Sequence, residues 1–309
     1  MKKKLLPIIM ILVLLIAIPV QAFAKMPEVD MQLRYLNIGD SIAYGLSAAP
    51  GLSYFERYAK YLEDNYGLDE NWPYPEAGGA VNAGVEGLDS MELLEALQEN
   101  TQLKGLVMQA DVITISIGGN NLLTPVIGAV AELYEVDPSS YPSSGAFIQA
   151  LLGEIGAEGE MAWNMRLAAF TASALSSDPG TLGYALEART EQFLSDWPAI
   201  LDEIEELNPD AHIIAMTLYN PIEEEDNLDL YHRYEELVRP MNKAIMKTQN
   251  RAMVAKVEKS FAKEPDAVAF KLTWTDGYPP VLIDPHPTTM GHGIIFEELM
   301  KGRSPRSFQ

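Results

Sequence analysis

Four short stretches of this 309-residue chain combine reactive or hydrogen-bonding side chains with the glycines and prolines that turn a backbone sharply. They are Gly39-Asp40-Ser41, Asn82-Ala83-Gly84 running on to Gly87, Gly118-Gly119-Asn120-Asn121, and Asp284-Pro285-His286-Pro287. Together they hold a hydroxyl, an imidazole, a carboxylate and several amide donors, which are the parts of an acyl-transfer site. A serine hydroxyl is a weak nucleophile until an imidazole takes its proton, and the imidazole needs a partner that fixes its tautomer. Ser41, His286 and Asp284 suit those three roles. A glycine at 84 lets a backbone amide approach a developing oxyanion, and the Asn120 side chain offers a second donor without adding charge. Singly, each stretch has a plainer reading as a helix cap, a turn or a rigid corner.

The elements that must position them decide between the two readings. Apolar runs with β-branched residues occur at 33–38, 80–84, 111–118, 211–219 and 267–274, and they alternate with helix-period segments at 53–65, 88–104, 122–207, 229–260 and 290–301. Strands that alternate with helices predict a parallel sheet covered on both faces, hence an α/β chain with a central five-stranded sheet. Ligands bind such sheets outside the carboxyl ends of the strands. The first three stretches stand at the carboxyl ends of the first three predicted strands, and Asp284 and His286 follow the fifth past a turn. The stretch from about 122 to 190 exceeds what a crossover requires, and its Pro, Gly and Ser breaks at 137–145 and 176–180 predict a helical insertion over that edge. Its apolar pieces, 147–157 and 165–175, read either as ordinary core or as the wall of an acyl pocket.

The chain begins with three lysines, about sixteen apolar residues from Leu5 to Val20 and the small-x-small ending Ala22-Phe23-Ala24, which predicts a secretory signal peptide over 1–24. An uncleaved anchor is the alternative, since the apolar run stops just short of a spanning length. The expected mature protein is one domain over 25–301 with a flexible tail over 302–309, exported to the cell wall or beyond and not inserted in the membrane. The leader holds three of the 22 basic residues and none of the 44 acidic ones, so the mature charge is 19 − 44 = −25. Such a surface repels nucleic acid, whose binding proteins carry a basic footprint. Cysteine is absent, which removes disulfides and thiolate metal sites.

Four histidines compete for the role of base. His212 opens a predicted strand on the wrong edge of the sheet, His232 lies in a polar helix, and His292 sits at a helix start, which leaves His286. A metal held by Asp284, His286 and His292 lacks the close helical ligand spacing of known sites, and no phosphate-cradling glycine loop occurs. No metal or organic cofactor is expected.

These four blocks, in this order across nearly the whole expected mature chain, resemble those of the SGNH hydrolases, also called GDSL esterases and lipases. With Thr217-Leu218-Tyr219-Asn220-Pro221 they look most like the secreted bacterial, lysophospholipase-like branch. The resemblance implies a flavodoxin-like three-layer α/β/α sandwich, Ser41 as nucleophile, the amides of Ser41 and Gly84 with the Asn120 side chain as oxyanion hole, and His286 as base. Ile42 stands where the family name has leucine, and Asn121 where aspartate is frequent. Only Pro285 separates Asp284 from His286 where many members have two residues, so Asp276 or a backbone carbonyl is an alternative orienter. The implied activity is hydrolysis of a small-molecule or lipid ester. Removal of O-acetyl groups from a polysaccharide, and a non-catalytic binding module on the same fold, are the competing readings.

Overall fold

The structure, a computed structural model, describes residues 32–141, 144–272 and 284–301. The leader, Asp276 and the C-terminal tail lie outside these residues. β1 (Tyr35–Gly39) and β3 (Val112–Ser116) are buried along their whole length. A strand buried on both faces needs apolar cover on both, and these sequences supply it residue by residue. Leu36, Ile38, Ile113 and Ile115 face one core, while Tyr35 and Val112 face the other, as the two-residue period of a strand requires.

With β2 (Ala80–Gly84), β4 (His212–Met216) and β5 (Met253–Ala255) these strands form one parallel sheet in the order β2-β1-β3-β4-β5. That order reverses direction between β1 and β3, which is where ligands of such sheets bind. One face is covered by α3 (Ser90–Glu99), α4 (Thr101–Val107), α5 (Gly119–Leu133), α8 (Leu182–Leu207) and α9 (Leu228–Lys247). The other is covered by α2 (Tyr54–Tyr66), α10 (Val257–Phe261) and α11 (Thr289–Lys301). The result is a three-layer α/β/α sandwich, and residues from Leu33 onward group as one unit. Within 122–190 lie most of α5, then α6 (Ser144–Glu158), α7 (Glu160–Leu175) and the first turns of α8. Among the described residues no helix is long and apolar enough to cross a membrane.

The fifth strand departs from expectation. Residues 268–272 make no strand beyond a single bridge from Val268 to Pro287, and β5 instead lies inside the segment that reads as one helix over 229–260. Residues 273 and 274 of the expected strand fall outside the described residues. The physical reason is tertiary. Phe270 and Leu272 bury their side chains, but the Leu272 backbone bonds to side chains, accepting from Trp163 Nε1 (2.9 Å) and donating to Asp226 Oδ2 (3.2 Å). Its apolar pattern records burial and not pairing. β5 is only three residues long, too short for a period-two signal to emerge.

Candidate active site

The chain leaves β1 pressed against β3. Gly39 has φ +129°, and a Cβ there would stand 1.8 Å from the Ser116 carbonyl oxygen, so only glycine fits. Asp40 then caps the four-residue helix α1 (Ser41–Tyr44), with Oδ1 accepting from the amides of Ile42 (3.0 Å) and Ala43 (3.4 Å) and from Ser116 Oγ (3.2 Å). These bonds occupy the second and third amides of the turn. The first, Ser41 N–H, has no partner among the described residues. Burial pushes the Asp40 carboxyl up to about 6, against the opposing pull of its hydrogen bonds and of His286.

A buried polar network braces α1 from below. Asn37, fully enclosed in β1, donates to the Ala43 carbonyl (2.8 Å) and to Asn82 Oδ1 (3.0 Å) and accepts from Tyr54 Oη (2.8 Å) and Thr114 Oγ1 (2.7 Å). Asn82 adds bonds to the carbonyls of Ala43 and Tyr44. Every polar atom of Asn37 is thus satisfied, the condition under which a buried network rigidifies rather than destabilises. Asn37 escaped the sequence reading, although a polar residue in the middle of Tyr-Leu-Asn-Ile-Gly was a visible signal.

Gly84 turns out to serve this brace. A Cβ at 84 would lie 2.3 Å from Tyr44 N and 2.7 Å from Ala43 C, and the Gly84 N–H donates to Asn82 Oδ1 (3.0 Å). The close approach that requires glycine is therefore to α1, and the amide expected to face an oxyanion is already engaged. Gly87, further along the same loop at φ +81°, has an N–H with no partner among the described residues. Asn120 stands buried in the first turn of α5, and its Nδ2 donates to the Leu88 carbonyl (2.9 Å). One hydrogen of that amide remains for another acceptor. Asn121 has a structural task, accepting from Ser90 N (3.1 Å) and donating to Ser90 Oγ (2.8 Å).

The loop before α11 brings the remaining groups to Ser41. His286 Nε2 lies 2.8 Å from Ser41 Oγ, and His286 Nδ1 lies 2.6 Å from Asp284 Oδ1. The single intervening proline does not prevent this contact. The Asp284 carboxylate folds back over its own loop and also accepts from the His286 backbone N–H (3.2 Å). Ser47 Oγ donates to the other carboxylate oxygen (3.1 Å). Burial pushes the Asp284 carboxyl up, but the His286 and Ser47 hydrogen bonds and the nearby imidazole outweigh it and hold the group below its usual range. Tyr219 Oη donates to the Pro285 carbonyl (2.5 Å) and fixes the loop to the end of β4. Ser47, at φ 66°, had no sequence signal, because its partner is 237 residues away.

The other histidines fall where they have no access to Ser41. His292 is fully buried, with Nε2 2.9 Å from the Leu46 carbonyl and Nδ1 accepting from Tyr54 N–H (3.4 Å). Burial disfavours its charged form, and the neutral ring ties α11 to the segment carrying Ser47. His212 begins β4 at the opposite edge of the sheet, and His232 is exposed on α9. Both ring nitrogens of His286 and of His292 are engaged by protein groups, so the Asp284, His286 and His292 set does not form a ligand cluster. Ser41, His286 and Asn120 open together onto a cavity of about 960 Å³, its mouth included, whose remaining walls are mostly apolar. A nucleophile with its base and orienter beside neutral donors and an apolar recess is suited to acyl transfer.

Known proteins share this fold. A lipase from a goat rumen metagenome shares the fold, with a TM-score of 0.54, 18% identity, and coverage of 89% of this chain and 100% of the other. An extracellular lipase from Streptomyces rimosus gives 0.51, 16%, 88% and 100%. A search of curated protein sequences gives no significant match. The profile of the GDSL-like lipase/acylhydrolase family matches residues 38–294, and the chain belongs to that family of ester hydrolases.

Proposed function

We propose that the protein is an exported serine esterase that cleaves carboxylic esters through an acyl-serine intermediate. The observation that carries the reading is the continuous hydrogen-bonded relay Ser41 Oγ to His286 Nε2 (2.8 Å) and His286 Nδ1 to Asp284 Oδ1 (2.6 Å). Ser41 Oγ attacks the ester carbonyl carbon as its proton passes to His286 Nε2, and Asp284 holds the imidazole with Nδ1 protonated and stabilises its positive charge. The negative oxygen that forms is received by the Ser41 N–H, which has no partner among the described residues, and the remaining hydrogen of the Asn120 amide. The Gly84 amide is engaged by Asn82 and adds no third donor. The carbon–oxygen bond to the alcohol then breaks, and His286 returns its proton to the departing oxygen. Water repeats the attack on the acyl-serine with His286 as base, releasing the acid and restoring Ser41.

The assay is hydrolysis of nitrophenyl esters by the wild type against Ser41→Ala and His286→Ala. Each variant should lose several powers of ten in kcat, of the order of 10⁶ when a nucleophile or base of this kind is removed. Equal rates in wild type and Ser41→Ala would refute the nucleophile assignment and favour a binding module. Export rests on the leader-like first 24 residues, and N-terminal sequencing of protein recovered from a culture medium tests it, with a chain beginning near Lys25 expected.

A further inference from the structure

The recess beside Ser41 does not end where the reacting groups end. A second space of about 690 Å³, its mouth included, shares five wall residues with the first, Leu122, Val126, Ile222, Tyr234 and Phe270. These five side chains line both spaces, which therefore adjoin one another. The polar groups are unevenly distributed. Asp40, Ser41, Ser116, Asn120, Thr217 and His286 gather in the first chamber. The second is walled by α5, α7, α8 and α9 with aliphatic and aromatic side chains and two arginines. Both guanidinium groups are already committed, Arg166 to Glu158 (2.5 Å) and Arg233 to Glu187 (2.5 Å) and the Ala174 carbonyl (3.0 Å), so only their stems are left for a guest.

An unfilled apolar space is expensive to leave inside a protein, since interiors pack to near-crystalline density and cavities cost stability in proportion to their volume. An acetyl group would occupy only the first chamber. A sugar would find few free hydrogen-bond partners in the second and would lose its hydration there. The guest that matches reactive groups at one end and hydrocarbon walls beyond them is a long unbranched acyl chain.

We propose that the helical insertion builds an acyl tunnel, which runs from Ser41 past Val126 and Tyr234 into the chamber under α7, and that the enzyme is thereby selective for esters of long-chain fatty acids. This rests on the ester-hydrolase reading and adds the substrate class to it. Val126 stands at the junction and Leu167 only in the distal chamber, which gives the test a built-in order.

The experiment measures kcat/KM on nitrophenyl esters from acetate to palmitate for the wild type, Val126→Trp and Leu167→Trp, with thermal midpoints recorded for all three. In parallel, palmitate binding to Ser41→Ala is followed by displacement of a fluorescent fatty acid. In the wild type kcat/KM should rise two- to fourfold per added methylene, about 0.8 kcal/mol per buried CH₂ at the upper end, until the tunnel is filled. Leu167→Trp should lower the palmitate-to-acetate ratio at least tenfold while sparing the octanoate-to-acetate ratio, and Val126→Trp should lower both. A wild type that prefers acetate, Trp variants that reduce every chain length by one factor, or Ser41→Ala that does not bind palmitate would each overturn the tunnel. Palmitate binding that is lost in Leu167→Trp, in a protein that cleaves no ester, would uphold the tunnel and overturn the hydrolase reading instead.

Discussion

Asp40 presents the sharpest conflict in the molecule between stability and placement. Its carboxyl is buried behind Ser41, and burial lifts it from 3.8 to about 6, so the native state prefers the neutral acid while the unfolded chain prefers the anion. Below about pH 3.8 the group is protonated in both states and costs nothing. The cost grows as pH rises between 4 and 6 and is complete above that, because unfolding then releases a buried charge to water. At about 1.4 kcal/mol per pH unit, a rise from 3.8 to about 6 amounts to about 3 kcal/mol. Asp40→Asn keeps an oxygen acceptor for Ile42, Ala43 and Ser116 and removes the charge. The variant should therefore be more stable than the wild type at pH 8 by up to about 3 kcal/mol, roughly 5–10 °C in Tm for a chain of this size, and nearly equal to it at pH 3.5. The assay is urea or thermal unfolding of both proteins at the two pH values. A variant less stable than the wild type at pH 8, or a stability difference that does not change with pH, would refute the reasoning.

Further perturbations test the site directly. Asp284→Asn leaves the loop's shape but favours the wrong imidazole tautomer, and kcat should fall by about 10² to 10⁴ with little change in Tm at pH 8. Asn120→Ala should lower kcat by about 10² to 10³ if its amide receives the oxyanion, whereas a loss below about fivefold would mean that backbone donors suffice. Ser47→Gly removes the hydroxyl bonded to Asp284 and relieves a left-handed backbone, so kcat should drop about three- to tenfold while Tm stays level or rises. A fall in KM alone would contradict that positioning role. Gly84→Ala drives a methyl into the backbone of α1 and should cost about 2 kcal/mol or more in urea unfolding together with most of the activity. An active, stable Gly84→Ala protein would show that α1 has room to move.

What the sequence determined by itself was the fold class and the reactive groups. Strand-length apolar runs alternating with helices leave few architectures other than a covered parallel sheet, and β1 through β4 lie where those runs stand. Ser41, His286 and Asp284 were legible because hydroxyl, imidazole and carboxylate chemistry depends on residue type, and because each sits in a short turn-forming stretch that names itself. Tertiary structure decided what depended on through-space partners. Residues 268–272 look like a strand, but their burial comes from Trp163 and the helical core, and an apolar pattern does not record what covers it. Gly84 looks like an oxyanion glycine, but Tyr44, on another element, fixes its space, and the Asn82 side chain, held by its own bonds to Ala43 and Tyr44, claims its amide. Ser47 carries no local mark, because its role is one hydrogen bond across 237 residues. Whether the apolar faces of α5 and α7 are core or cavity wall was likewise undecidable from periodicity, since both burials impose the same helical period and only the packing of neighbouring helices leaves the space between them open.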